Sequence, residues 1–187
     1  MANKVKYGLK NVYYAIATDS GSGVLTYATP VAWPGAVSLS LSANDNENIF
    51  YADNIAYFKS SANNGYSGDF ESALIPETFR TGVLGETLDS TGGFYYEVAG
   101  GSTVEFALLF QFEGDDKGIR HCLYRCTASR PATEGSTVQD TIEPQTETIT
   151  ITALPRINDQ LIKSRCPEGA ADYSTWFSSV KEPTPAT

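Results

Sequence analysis

The sequence predicts a mainly β fold, and three observations lead to that class. Val37, Leu39 and Leu41 alternate with serines, and Ile149 and Ile151 alternate with threonines, which is the period of a strand with one apolar face. Aromatic residues make up 12% of the 187 residues, and such side chains favour pleated, half-buried strands. Glycine-rich segments punctuate the chain between these runs. Together these features predict many strands joined by turns.

The alternating and apolar runs define the predicted strands. In the longest of them, Val104–Glu113, a Phe and Leu row occupies one face, and Glu and Gln residues occur on the other. Gly114–Gly118 is predicted to join this strand to the next one as a hairpin. The predicted strands are Val12–Ala17, Val24–Ala28, Val37–Ser42, Asn48–Tyr51, Ile55–Lys59, Phe94–Val98, Val104–Glu113, Ile119–Thr127 and Thr148–Ala153.

One or two short helices are expected to cover the strands. The first begins at Pro76, at a position that needs no backbone donor, and ends at Gly85. The second is predicted over Ala170–Val180, where apolar residues recur at helical spacing. The predicted core comprises Phe79, Leu84, Phe106, Leu108, Phe110, Phe112, Trp176 and Phe177.

The chain is interpreted as a single domain spanning residues 1–187. Residues 1–10 are predicted to form an N-terminal arm, and residues 181–187 a flexible C-terminal tail. Residues 44–68 are rich in Asn, Asp, Ser and Gly with apolar islands, and are predicted to form an extended loop or hairpin. Segments of this kind are uncommon in compact domains unless they have a function such as docking.

Charge and cysteine content exclude several classes of protein. The formal net charge of −9 lacks the basic excess that a phosphate-gripping protein requires. No run approaches the roughly 20 apolar residues of a membrane-spanning helix, so no membrane anchoring is expected. The N-terminus does not have the pattern of an export signal. Three cysteines, an odd number, predict free thiols in a chain that is not secreted.

No catalytic, cofactor or metal site is predicted. His121, the one histidine, lies in a predicted strand without a nucleophile motif beside it, and is interpreted as a packed or interface residue. Cys122 and Cys126 are predicted to share one strand face, but two thiols alone cannot complete a tetrahedral zinc site. Asn44–Asn48 lacks the glycine and the closing glutamate of a calcium loop, and is interpreted as a turn.

An ordered set of short motifs carries a resemblance that covers the chain from about Tyr7 to Pro183. The motifs are Phe50-Tyr51-Ala52-Asp53-Asn54, Ile75-Pro76, Val83-Leu84-Gly85, Phe106-Ala107-Leu108-Leu109-Phe110, Gly118-Ile119-Arg120-His121, Tyr124-Arg125-Cys126, Thr146-Glu147-Thr148-Ile149, Ala153-Leu154-Pro155-Arg156 and Trp176-Phe177. Their order and spacing resemble the major tail proteins of long, non-contractile bacteriophage tails.

The resemblance implies a structural virion protein with no enzymatic activity. The implied fold is a tail-tube-type β-sandwich or half-barrel, and six copies close into a ring. Rings stack into a tube whose lumen passes double-stranded DNA into the host without holding it. The implied partners are further copies of the chain, a tape-measure protein, the tail tip or baseplate and a tail terminator. The implied location is the virion tail, assembled in the host cytoplasm.

Two sets of residues are expected to face other molecules in such a tube. A lumenal strand needs a polar, non-adhesive face, and inward carboxylates repel DNA. The predicted lumen-facing residues are Ser38, Ser40, Ser42, Glu105, Gln111, Glu113, Thr148, Thr150 and Thr152. The predicted contacts between rings are Lys4, Lys6, Asp45, Glu47, Tyr51, Asp53 and Tyr57.

Two other interpretations remain open from the sequence. One is another β-rich virion component, such as a distal tail, tail terminator or capsid-decorating protein. The other is a carbohydrate-binding β-sandwich, for which the tyrosines Tyr51, Tyr57 and Tyr66 in the polar segment are the favourable feature.

Overall fold

The protein is mainly β, as predicted. The computed structural model describes residues 5–114, 118–137 and 144–184, apart from the side chains of residues 46–48. The strands are β1 (Leu9–Asp19), β2 (Leu25–Tyr27), β3 (Val31–Ala32), β4 (Ala36–Ala52), β5 (Ile55–Ser72), β6 (Thr87–Leu88), β7 (Tyr95–Tyr96), β8 (Phe106–Phe112), β9 (Arg120–Ala128), β10 (Glu147–Ala153) and β11 (Lys163–Cys166). A helical turn, α1 (Glu77–Phe79), continues as a π-helical turn at Arg80–Leu84.

Most of the strands belong to one large antiparallel sheet. Its order is β2-β1-β8-β9-β10-β5-β4, while β3 pairs with β1 and β11 pairs with β9. β10 pairs with the C-terminal part of β9 and β11 with its N-terminal part. β6 and β7 form a separate two-stranded sheet. The early strand β1 therefore pairs with β8, far along the chain, so part of the sheet depends on long-range pairing.

The large sheet curls around an inner core. Val12 of β1 and Leu39 of β4 come from distant positions in the strand order, yet both contribute to this core, which gives the sheet the form of a half-barrel. The link between β3 and β4 places Trp33 in the same core, where its Nε1–H donates to Ser72 Oγ at 2.9 Å. Burial of these apolar surfaces is the main source of stability.

The predicted first helix is confirmed as the lid of the inner core. It begins after Pro76 and ends at Gly85, whose φ of 83° is the left-handed conformation expected after a helix. Its buried residues are Phe79, Val83 and Leu84. The periodicity predicted the inward face, although most of the segment is π-helical rather than α-helical.

An outer core lies on the opposite face of β1, β8 and β9. The C-terminal segment covers this face with Trp176 and the half-buried Phe177. β8 is therefore buried on both faces, and the predicted two-sided pattern for Val104–Glu113 is wrong for the central residues. Leu109 and Gln111, on the face predicted to be polar, are buried; Gln111 is only 6% exposed.

The predicted second helix, Ala170–Val180, is wrong. The segment is a succession of turns in which the N–H of Trp176 donates to Tyr173 O and the N–H of Tyr173 donates to Ala170 O. The Thr175 hydroxyl donates to the backbone carbonyl of Asp172 (3.4 Å). Serine and threonine side chains compete in this way with helical hydrogen bonds. The apolar stripe still faces inward, because turns of three residues keep nearly the same spacing as a helix.

A buried arginine attaches the end of the chain to the outer core. Arg156 is bound by Asp159 and by both carboxylate oxygens of Glu182, and this pairing lowers the pKa of Asp159. Tyr124 Oη donates to Lys181 O at 2.6 Å. Lys181 and Glu182, which fall within the predicted flexible tail, are therefore bound to the body. A buried guanidinium needs carboxylate partners, and Glu182 supplies one.

Bulges explain two further departures from simple alternation. The extra residue of a bulge at the start of β4 is Val37, which is 50% exposed instead of sharing the apolar face of Leu39 and Leu41. A bulge in β9 shifts its register against β8, so Cys126 turns into the inner core while Cys122 lies in the outer core. The prediction that the two cysteines share a face is therefore wrong.

Within the described ranges, no helix has the length and apolar character to span a membrane. Cys122, Cys126 and Cys166 are buried and none is in a disulfide. Burial raises the pKa of the Cys122 thiol well above its ordinary value. These thiols are packing residues of the two cores.

Candidate lumenal and assembly surfaces

A polar face covers the outer side of three neighbouring strands, β4, β5 and β10. The cross-strand rows are Ser38–Glu71–Thr148, Ser40–Asp69–Thr150 and Ser42–Ser67–Thr152. We call these nine residues the polar face. The alternate residues of β5 and β10, such as Phe70, Ile149 and Ile151, are buried in the inner core. The same alternation that builds the core thus fixes hydroxyl and carboxylate groups on the opposite side.

Hydroxyl groups hold the two carboxylates of the polar face. Glu71 accepts from Ser38 Oγ at 3.0 Å and from Thr146 Oγ1 at 2.7 Å. Asp69 accepts from Thr150 Oγ1 at 2.9 Å. The nine residues include acids but neither lysine nor arginine. The surface is therefore negative, and part of its donor capacity is already used internally.

Six of the nine predicted lumen-facing residues lie on this face, and three do not. Glu105 lies outside the three rows and is bound to Arg125 of β9, and this hydrogen bond raises the pKa of Arg125. Glu113 forms an exposed ion pair with Lys10. Gln111 is buried beneath the C-terminal segment, where its amide donates to Gly118 O at 3.0 Å. The prediction for Gln111 is wrong, because the C-terminal segment covers that side of β8.

Ser67, Asp69 and Glu71, which lie in the middle of the polar face, are not among the predicted lumen-facing residues. They alternate with Gly68, Phe70 and Ser72, and this pattern is a period-two signal. The surrounding polar composition obscured it. The predicted strand Ile55–Lys59 in fact continues to Ser72.

A long hairpin projects from the sheet beside the polar face. Beyond Asp45 and Asn63, β4 and β5 pair with each other only, because the pairing of β5 with β10 ends at Tyr66. We call residues 45–63 the projecting hairpin. At a rise of about 3.3 Å per residue, its arm is roughly 25 Å long. Asp53 and Asn54 form its two-residue turn with φ values of 53° and 62°, as a type I′ turn requires.

The projecting hairpin exposes large apolar side chains. Phe50 and Phe58 face each other across the strands and are 60% and 61% exposed. The other large apolar residues exposed on it are Ile49, Tyr51, Ile55 and Tyr57. A two-stranded hairpin alone is marginally stable in water, and a contiguous exposed apolar patch marks an interaction site. This element has the properties of a docking surface.

The residues predicted to form contacts between rings are found in different parts of the chain. Asp45, Tyr51, Asp53 and Tyr57 are exposed on the projecting hairpin. Lys6 is exposed on the body, with its ammonium 4.1 Å from the centre of the Phe112 ring. Lys4 and the side chain of Glu47 lie outside the described residues.

Gly65 sets the point at which the hairpin leaves the sheet. Its φ is 109°, and a Cβ atom placed there would lie 2.0 Å from Ala153 O. The register between β4 and β5 shifts at the same point, between Ala43 and Asp45. Only glycine fits this combination of backbone conformation and close approach. The direction of the hairpin is therefore fixed at its base.

An apolar notch opens into the inner core near the base of the hairpin. Its volume is about 200 Å³. The apolar lining residues are Leu39, Leu41, Tyr66, Phe110, Phe112 and Leu123, and Lys6, His121 and Lys163 complete the notch. Lys163 is exposed, and its ammonium lies 4.1 Å from the centre of the Tyr66 ring. His121 stacks on Phe110 with ring centroids 5.1 Å apart.

Residues 5–114, 118–137 and 144–184 contain no group of three or more His, Cys, Asp or Glu residues placed to hold a metal ion. The chemistry of the described surfaces is that of contact: a negative hydroxylated face, an apolar hairpin and an apolar notch with lysines. Comparison with protein-family models gives no match, and comparison with curated proteins gives none. Function is therefore inferred from these surfaces and from the ordered motifs of the sequence.

Proposed function

We propose that the protein is the major tail tube subunit of a long-tailed bacteriophage, which forms stacked hexameric rings around a lumen for DNA. The observation that carries this proposal is the polar face, a three-strand wall of hydroxyls and carboxylates backed by the inner core. It combines with the ordered motifs that resemble major tail proteins. The proposal places the chain in the virion tail, with the tape-measure, tip and terminator proteins as partners.

The chemistry of the polar face suits passage of DNA without retention. Proteins hold the DNA backbone with lysine, arginine, hydroxyl and amide donors. On this face, Ser38 and Thr150 donate to the neighbouring carboxylates instead. Asp69 and Glu71 add negative charge that repels phosphate. A duplex moving along such a wall finds few sites at which it can bind.

The edge of the sheet and the projecting hairpin support assembly from many copies. β4 ends the strand order beside the polar face, so a neighbouring copy can continue the wall past this edge. The hairpin carries apolar side chains away from the body, as described for Phe50 and Phe58. Modest contacts repeated around a ring become strong through avidity.

Electron microscopy of the purified protein at high concentration tests the proposal. We expect long tubes of uniform width with a continuous lumen. Discrete rings would favour a terminator or distal tail protein, and particles without rings or tubes would contradict the proposal.

Thiol labelling tests the orientation of the wall within the tubes. A Thr150→Cys variant places a thiol on the polar face, whereas Thr175→Cys places one on the exposed C-terminal segment. After assembly, a small maleimide should label both variants, and a maleimide linked to a large protein should label only Thr175→Cys. The three native cysteines are buried and add little background. Equal labelling of both variants by the large reagent would exclude the polar face from the lumen.

The exposed tyrosines of the hairpin favour carbohydrate binding as a second candidate function. Tyr51 and Tyr57 are both largely exposed, and aromatic rings are common platforms for ligands. A glycan array probed with unassembled protein discriminates between the two functions. Clear binding by the monomer would support the carbohydrate-binding function, and the tube proposal predicts none.

A further inference from the structure

We propose that the notch of one copy receives the tip of the projecting hairpin of a second copy, with Asp53 of the tip meeting Lys163 and Lys6. This inference rests on the proposed tube function and names the acceptor for its stacking contact. The contact uses neither the polar face nor the backbone hydrogen-bonding groups of the sheet edge, so the inference can fail while the tube proposal stands.

The notch has the chemistry of a receptor for an apolar side chain beside a carboxylate. Its lining is aliphatic and aromatic, and about 200 Å³ is smaller than the usual pocket for a small-molecule ligand. Lys6 and Lys163 lie over the rings of Phe112 and Tyr66 and are exposed. Within the described part of the chain, neither lysine forms an ion pair. Both ammonium groups can therefore meet a carboxylate brought in by a partner.

The hairpin tip supplies the complementary groups. The exposed Phe50–Phe58 pair provides aromatic surface, and Asp53 lies in the turn three residues beyond Phe50. This spacing is about 10 Å along a strand, so an aromatic ring and the carboxylate can reach a notch and its edge together. Aromatic anchors in a pocket with charged surroundings are typical of the centres of protein interfaces.

The positions of tip and notch make the contact head-to-tail. The notch includes Leu39, Leu41 and Tyr66, which lie at the base of the same hairpin whose tip carries Asp53. When the tip of the first copy binds the notch of the second copy, the notch of the first copy and the tip of the second copy stay available for further copies. Contacts between two different surfaces either close into a ring or propagate into an open-ended assembly. A stack of rings uses the second outcome.

A charge exchange tests the contact in assembling protein. Lys163→Glu should raise the critical concentration for tube formation about tenfold or more, because it places like charges together. Lys10→Glu makes the same change of charge at the exposed ion pair with Glu113 and should shift it less than about twofold. Adding Asp53→Asn to Lys163→Glu should restore part of the loss, because it removes the like-charge contact, and asparagine keeps the turn conformation. Equal effects of the two lysine variants, or no restoration, would overturn the inference.

Disulfide trapping separates this inference from the proposed function. Chains carrying only Asp53→Cys are mixed with chains carrying only Lys163→Cys under mild oxidation, and Thr175→Cys chains serve as the control partner. We expect a mixed disulfide with Lys163→Cys and none with Thr175→Cys. Tubes without the mixed disulfide would overturn the notch contact alone. The mixed disulfide without tubes would support the notch contact but contradict the tube function. If neither the disulfide nor tubes form, both proposals are wrong.

Discussion

Replacing Phe79 with alanine is expected to destabilise the unassembled subunit by about 3–5 kcal/mol. Phe79 is 0% exposed and is the residue by which the lid enters the inner core. Its ring centroid is 4.4 Å from that of Trp33, 5.0 Å from Tyr14 and 5.2 Å from Phe106. Tyr14 and Phe106 are held on paired strands, so they cannot collapse into the space that the ring leaves. The loss should therefore lie in the upper half of that range.

Urea unfolding followed by tryptophan fluorescence measures this loss. Trp33 lies in the inner core and Trp176 in the outer core, so both cores contribute to the signal. Phe50→Ala is the matched control, since Phe50 is exposed on the hairpin and its removal should change monomer stability by less than about 0.5 kcal/mol. Phe50→Ala should nevertheless impair tube formation. A loss below about 1 kcal/mol for Phe79→Ala would refute the inner core as described.

Three further predictions follow from the polar face, the base of the hairpin and the outer core. Replacing Asp69 and Glu71 together with lysine should leave a folded subunit that shifts short duplex DNA in a gel at about 50 mM salt, whereas the unchanged protein should not. Gly65→Ala should destabilise the subunit by more than about 1 kcal/mol, measured by urea unfolding. Gly100→Ala is the control, since Gly100 also has a positive φ of 89° but no neighbour within 4 Å, and its replacement should cost less because it adds no clash. Burial raises the pKa of Tyr27 from 10.0 to about 12, so the folded state keeps a proton that the unfolded chain releases. The Tyr27 contribution to stability should be complete below about pH 10 and lost as the pH rises to about 12. Tyr27→Phe should reduce the slope of the unfolding free energy against pH in that window by the equivalent of roughly one proton.

Local patterns predicted the strands whose two faces differ. Ile149 and Ile151 are buried and Thr148 and Thr150 are exposed, as the alternation in β10 indicates. The Pro76 and Gly85 signals correctly bounded the lid, because they act within a few residues. Such local signals do not depend on contacts with distant parts of the chain.

The burial of a strand face by a distant segment of the chain could not be predicted from the same patterns. Nothing near Gln111 in the sequence indicates that Tyr173, far along the chain, lies beside it. The inward stripe of the C-terminal segment has helical spacing, but side-chain competition made it a series of turns. A bulge such as the one at Val37 changes which side of the strand a residue faces, and no local sequence pattern indicates it. The polar face was therefore predicted only in its outer two strands.

The order in which the chain is made gives the notch a further consequence. The projecting hairpin is built from contiguous residues joined by a two-residue turn, so it can form early. The notch unites Lys6, Phe112 and Lys163, which are separated by most of the chain. A nascent or truncated chain that ends before Lys163 would expose the adhesive tip but could not receive one. We expect elongation of the polymer to be restricted to finished subunits, so that the acceptor acts as a checkpoint on complete folding.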